Sequence, residues 1–283
     1  MSAKGASMAL DNITRGLDRT NLPRLPPAPG FDGDQEFMEQ VEIWKKWIAW
    51  EKEDPLVLQS DEPEVFKQRV IYCYNQALMA LRFWPEMWVD AAEWCFENKV
   101  VKDGRDMGLE FLTQGIAANP ESVLLALKHA DRIESTITVG DGDDAKVTSG
   151  AAVRAPYDKV LDTLYESSKK LKEREQAAIK RIEEATKADD LDDRNDDYDE
   201  YPNDASGGHK QSARDHQVEA AKQGFAAQQS LLSRTISFVW IALARAMRRI
   251  QGKGTPGATI GGLRQVFTDA RHRGKPRAMS TWL

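Results

Sequence analysis

Four kinds of side chain in this sequence invite a chemical reading: histidine, cysteine, clustered carboxylates, and aromatics near arginine. The histidines are His129, His209, His216 and His272. None stands at metal-ligand spacing from another histidine or from a cysteine. His129 falls within a helical pattern and reads as a surface or groove residue. His209 and His216 are seven residues apart in a polar stretch that offers no further strong ligand. Cys73 and Cys95 lie among helical core positions. Nothing adjacent in sequence would stabilise a thiolate, so buried inert thiols are expected rather than a nucleophile.

Residues 189–204 hold nine acids in sixteen positions. Carboxylates in so polar a run lack the apolar setting that raises the pKa of a catalytic acid. The Asp141-Gly142-Asp143-Asp144 run lacks EF-hand spacing and reads as a solvated turn. The stretch 252–262, GKGTPGATIGG, lacks the GxxxxGK[ST] order of a phosphate loop. It also follows a helix, where a phosphate loop follows a strand. No catalytic residue, cofactor or metal site is expected, and the chain reads as a non-enzyme.

Trp44, Trp88 and Trp240 sit on apolar helical faces. They are expected to pack a core rather than to stack nucleic-acid bases. Arg245, Arg248 and Arg249 are better contact candidates for RNA or a protein partner. They stand three and four residues apart, on one side of a helix.

Bulk properties narrow the class. The chain has 283 residues, 41% of them hydrophobic and 30% charged, with a net charge of −6. That is enough apolar content for a core, in one or two domains or one elongated repeat array. Residues 234–283 carry ten Lys and Arg against one acid, Asp269, so an acidic chain has a basic end. Such an end suits RNA or an acidic partner, or simply a solvated helix surface. Two cysteines cannot build a disulfide framework and fit a reduced compartment. No uncharged apolar run of about 18 residues is found, so no membrane span is expected. The N-terminus shows no secretory signal pattern.

The elements read as helix after helix. Residues 1–34 form a Pro-rich N-terminal linker, with LPRLPPAP at 22–29. Proline fixes φ and removes a donor, so this run suits an extended spacer, with a ligand for a proline-binding domain as the alternative. Phe37, Val41, Trp44 and Ile48 then recur at steps of four, three and four. Asp54-Pro55 ends that helix. A second carries Phe66, Val70, Tyr74, Ala77 and Leu81. Pro85 opens a third, with Trp88, Ala91, Ala92 and Cys95 on one side. Met107, Phe111, Leu112 and Ile116 mark a fourth, stopped by Asn119-Pro120. Leu124, Leu127 and Ala130 mark a fifth. Residues 139–150 read as a Gly/Asp-rich loop, and Tyr157, Val160, Leu161 and Leu164 as a sixth helix running on towards 187. The acidic run 189–216 is expected to be a disordered insert. Helix resumes near 217 with Ile236, Val239, Trp240, Leu243 and Met247. A last helix carries Leu263, Val266, Phe267 and Ala270. No segment alternates as a strand would.

Short loops between consecutive helices imply antiparallel pairs. The interval from Trp44 to Trp88 is 44 residues, and from Trp88 to Leu127 it is 39. A period of that size belongs to tetratricopeptide-like or HEAT-like repeats. The fold class expected is all-α, an α-solenoid of antiparallel helix pairs with a disordered acidic insert.

Particular residues narrow the choice further. Trp44-x-x-Trp47-x-x-Trp50-Glu51 resembles the first helix of a HAT (half-a-tetratricopeptide) repeat. Arg69-Val-Ile-Tyr-x-Tyr74-x-Gln76-Ala-Leu78 resembles its second helix. Across residues 43–97 the chain is similar to the HAT subunit of the mRNA cleavage and polyadenylation machinery, the suppressor-of-forked family. Residues 238–271 resemble a later repeat of the same family. Trp44, Trp47, Trp50, Glu51, Arg69, Tyr74, Pro85, Trp88, Ala91, Trp240 and Phe267 carry the repeat signature in a structural role.

The resemblance implies HAT repeats over 35–188 and a further repeat over 217–273. It leaves 274–283 as a truncated tail without a polar cap, so a fragment of a longer protein is expected. It implies a non-catalytic nuclear scaffold, also cytoplasmic, holding other cleavage and polyadenylation subunits, with pre-mRNA as a further contact. The family dimerises, but the repeats that form the dimer have no match here. Two alternatives stay open: a HAT scaffold in splicing or ribosomal RNA processing, and direct RNA binding through the basic end.

Overall fold

The computed structural model describes residues 3–19, 23–137, 140, 142–192 and 206–273, with side chains left undescribed at 3, 186–192 and 206–214. The chain is all-α, of the helical-repeat solenoid class. It divides into two compact units, Met1–Thr136 and Ile137–Leu283.

The first unit holds α1 (Ala3–Ile13), α2 (Asp34–Lys52), α3 (Leu58–Asp61), α4 (Pro63–Ala80), α5 (Pro85–Glu97), α6 (Met107–Ala118) and α7 (Val123–Thr136). Its local signals follow backbone chemistry. Pro63 and Pro85 stand in the first turns of α4 and α5, where a missing amide donor costs nothing. Asp54 accepts from the amides of Leu58 and Gln59 at 2.8 and 2.7 Å and so caps α3. Asp106 caps α6 through the amide of Gly108 at 2.9 Å.

Contacts fix the helix directions. Phe37 meets Trp84 just past the end of α4, and Glu51 meets Arg69, so α2 and α4 run antiparallel. Phe66 packs on Trp94, and Tyr74 reaches Asp90, so α4 and α5 do likewise. The shared core includes Val41, Trp44, Ile48, Val70, Cys73, Tyr74, Ala91 and Leu112.

Two features depart from the sequence reading here. Within the segment read as a linker, 23–28, in the proline run, carries no helix or strand, while Ala3–Ile13 is helical. Its Ala6 is buried, and Leu10, Ile13 and Leu17 lie against the core at helical spacing. Gln40 holds the following turn, donating to the carbonyl of Gly16 at 3.0 Å and accepting from the amide of Asp18 at 2.9 Å. A two-stranded hairpin, β1 (Val101–Lys102) with β2 (Arg105–Asp106), also joins α5 to α6. Strands of two residues are too short to show alternation.

The second unit holds α8 (Asp143–Asp192), α9 (Ser206–Gln251) and α10 (Gly262–Arg273). Gln251 reaches Lys146, Trp240 reaches Tyr165, and Gln229 reaches Ser168. That falling order makes α8 and α9 an antiparallel hairpin. Arg154 and Asp162 meet Asp269 and Arg273, so α10 lies along α8 in the same direction.

Three expectations change in this unit. The loop read over 139–150 is helix from Asp143 onward. Gly150 sits within that helix at a close approach: a Cβ there would lie 2.2 Å from Nε2 of Gln251, which would have to shift. The flanks of the acidic insert belong to helices, with α8 reaching Asp192 and α9 starting at Ser206 rather than near 217. Its centre, 193–205, lies outside the described residues, as does the tail 274–283. Finally, by length and composition alone, Asp215–Gln251 within α9 is long and apolar enough to cross a membrane, which the sequence reading did not anticipate. Its Ile236, Val239, Leu243, Met247 and Ile250 are nevertheless buried within the protein.

Candidate functional site

The signature residues converge on packing and on buried polar networks. Trp44 and Trp47 are buried and stacked, with ring centroids 5.3 Å apart and planes inclined by 16°. The Trp47 indole donates to Oε1 of Glu51 at 3.3 Å. Glu51 is 5% exposed, which would be costly for a lone carboxylate. Arg69 meets that cost with Nε donating to Oε2 at 3.2 Å and Nη2 donating to Oε1 and Oε2 at 3.1 and 3.0 Å. Trp50 is half-buried against the same core.

Tyr74 is fully buried and donates to Oδ2 of Asp90 at 2.6 Å. Burial, and then the Asp90 carboxylate, push the phenol pKa upward, so it remains a neutral donor. Lys52 completes the group, with Nζ 3.2 Å from Asp90 and 5.1 Å from the Tyr74 ring centroid. One step along α5, the Trp88 indole donates to the carbonyl of Arg82 at 2.9 Å. Ala91, on the same helix, is fully buried.

In the second unit Trp240 is buried and its indole donates to the Tyr165 hydroxyl at 3.0 Å. Phe267 departs from its expected place in the apolar face of the last helix: it is 57% exposed while neighbouring Val266 is buried. Tyr72, two residues from buried Val70 and Tyr74, is likewise 59% exposed. Consecutive residues on a helix point about 100° apart, so an apolar run cannot all face inward.

Among the described residues, the candidates for chemistry lie apart. Cys73 and Cys95 are free and fully buried. Burial pushes the Cys95 thiol up to about 12 and raises Cys73 as well, the reverse of an activated nucleophile. His129 is half-buried on α7, His216 and His272 are exposed, and the side chain of His209 is not described. Among the described residues no three His, Cys, Asp or Glu side chains group to hold a metal ion. The glycine-rich connection spends its amides on itself. Thr255 donates to Ile260, Leu263 to Gly252, and Gly257 and Gly262 to the side chains of Gln265 and Gln251.

Several important residues escaped the sequence reading. Asp90 joins Tyr74 to Lys52. Asn119 is buried and donates to the carbonyls of Arg82 and Gly115 at 3.0 and 3.1 Å. Arg154 binds Asp158 at 2.9 Å and Asp269 at 2.7 Å. Burial works against the Arg154 charge, and the two carboxylates outweigh it, raising its pKa. Their long-range partners lie on other elements and leave no local motif, although Arg154–Asp158 and Asn119–Gly115 are also pairs four residues apart. Arg245, Arg248 and Arg249 are exposed on α9.

Buried tryptophans, paired buried charges and tightly seated glycines define a helical-repeat protein whose invested chemistry is packing. The family follows from sequence comparison. The profile described as "Suppressor of forked protein (Suf)" matches residues 1–280, and the chain belongs to that family. It is 60% identical over 284 residues to the mRNA 3'-end-processing protein rna-14 of Neurospora crassa, covering 97% of this chain and 24% of that protein. It is 60% identical over 275 residues to the mRNA 3'-end-processing protein RNA14 of Gibberella zeae, covering 97% of this chain and 27% of that one. Against the Saccharomyces cerevisiae protein of the same name, identity is 29% over 178 residues, 60% of this chain and 23% of the relative. The chain thus spans about a quarter of the length of these relatives.

Proposed function

We propose that this chain is a non-catalytic scaffold component of mRNA 3′-end processing. Its helical-repeat surface holds other subunits of the pre-mRNA cleavage and polyadenylation machinery. The observation that carries this reading is the family match along residues 1–280, joined to relatives named as mRNA 3'-end-processing proteins. The structure supports it through what it stabilises. Paired charges, and indole contacts such as Phe66–Trp94 and Trp240–Tyr165, hold helix against helix, giving a surface that raises the effective concentration of bound partners. The reading places the chain in the nucleus, with a cytoplasmic pool.

Affinity purification of the tagged chain from nuclear extract, read by mass spectrometry, tests the proposal. Enrichment of cleavage and polyadenylation subunits is expected. Enrichment of splicing or ribosome-assembly factors in their place would overturn it.

A second reading has its own observation. Arg245, Arg248 and Arg249 are exposed on the basic end of the chain and could contact pre-mRNA phosphates. Affinity for an oligouridylate would then fall steeply with salt, by a log–log slope of roughly 2 to 3 for three phosphate contacts. A flat salt dependence would remove it.

A further inference from the structure

The outer face of α9 carries a pattern that neither packing nor the family signature uses. Leu231, Phe238 and Ile241 are 68%, 53% and 51% exposed. Arg234, Arg245 and Arg248 are exposed among them. From Leu231 to Arg248 these six residues follow steps of three, four, three, four and three. That spacing sets them along one side of the helix, opposite buried Ile236, Val239, Leu243, Met247 and Ile250. The same three–four step is the seam by which one helix packs along another.

Charge is left over on this seam. From Ala220 onward α9 has no acid, and the last one before Gln251 is Glu219. Among the described residues Arg234, Arg245 and Arg248 make no ion pair, and the acid in α10, Asp269, is bound to Arg154 and Gln265.

Resting on the scaffold reading, we propose that this face docks an amphipathic α-helix of another protein. That helix is apolar along its inner stripe and acidic at the end that meets Arg245 and Arg248. The chemistry separates this occupant from others. A single RNA strand needs successive aromatic faces, and this seam supplies one, Phe238, between two aliphatic residues. A second copy of this face pairs poorly. Setting Phe238 against Ile241 of an antiparallel copy sets Arg234 against Arg245.

The test uses the full chain and an unbiased probe: a phage-displayed library of helical peptides, followed by fluorescence anisotropy with the best peptide. The enriched sequences should repeat apolar residues at three–four spacing and carry Asp or Glu at one end. Ile241→Asp, and separately Arg245→Glu with Arg248→Glu, should each weaken binding about tenfold or more. Tyr72→Asp, on the exposed face of α4, should leave it unchanged, and circular dichroism should confirm that each variant keeps its helix content. Failure to enrich any peptide, enrichment of peptides without acids, equal binding by Ile241→Asp, or displacement by oligouridylate would each overturn the proposal. The purification from nuclear extract would still judge the scaffold reading separately.

Discussion

Glu51 on α2 and Arg69 on α4 form a two-pronged ion pair, with both carboxylate oxygens accepting and the Trp47 indole adding a third donor. The pair locks the first two long helices in register. The partners are unequal, since Glu51 is 6% exposed at its side chain and Arg69 36%. Arg69→Met strands a buried carboxylate, whereas Glu51→Gln leaves a guanidinium that can turn to water. We expect Arg69→Met to cost about 3 kcal/mol and Glu51→Gln about half that. Urea denaturation followed by tryptophan fluorescence measures both, and equal losses would contradict the asymmetry.

Gly115 on α6 faces Trp88 on α5. A Cβ at Gly115 would stand 2.8 Å from Cγ of Trp88, whose indole is already tied to the Arg82 carbonyl. The ring cannot retreat without losing that hydrogen bond. Gly115→Val should therefore destabilise the first unit by about 2 kcal/mol and alter the near-ultraviolet circular dichroism of tryptophan. An unchanged melting curve would show that the helices part more easily than this contact implies.

The thiols give a pH test. Cys95 sits at about 12 against an ordinary 9.0, with burial the main cause. A raised folded pKa means that the folded state holds its proton more tightly. Its contribution to stability is complete below about pH 9 and declines as pH rises towards 12. Near neutral pH the native protein should expose no thiol to dithionitrobenzoate, and unfolded protein should expose both. Fast labelling of the native chain would contradict the burial.

Arg154 clasps α10 to α8 through Asp269 while bonding Asp158 on its own helix. Arg154→Leu should cost about 1–2 kcal/mol. The loss should be local. Amides of α10 should exchange faster by hydrogen–deuterium exchange mass spectrometry, with those of α5 unaffected.

The packing helices were legible because period and punctuation agreed. Val41, Trp44 and Ile48 kept one face, Asp54-Pro55 marked an end and Pro85 marked a start. Helix α1 was equally legible through Ala6, Leu10, Ile13 and Leu17, but the nearby prolines drew the whole segment into one reading. Gly150 misled for a related reason. A glycine in a polar stretch signals a loop, yet here it marks close approach to Gln251. The long-range roles of Asp90, Asn119 and Arg154 were not legible, since Tyr74, Arg82 and Asp269 are 16, 37 and 115 residues distant in sequence. Exposure was the other blind spot. Phe267 and Ile241 look like core residues until the helix is oriented.

The α8–α9 hairpin is much longer than the helix that braces it. At 1.5 Å per residue the 50 residues of α8 extend about 75 Å, and the 12 of α10 about 18 Å. From Tyr165 to Asp192, α8 runs on for roughly 40 Å beyond the braced part. The far end of the hairpin therefore stands more than the width of a small domain from α10, beyond the reach of any brace of that helix's length.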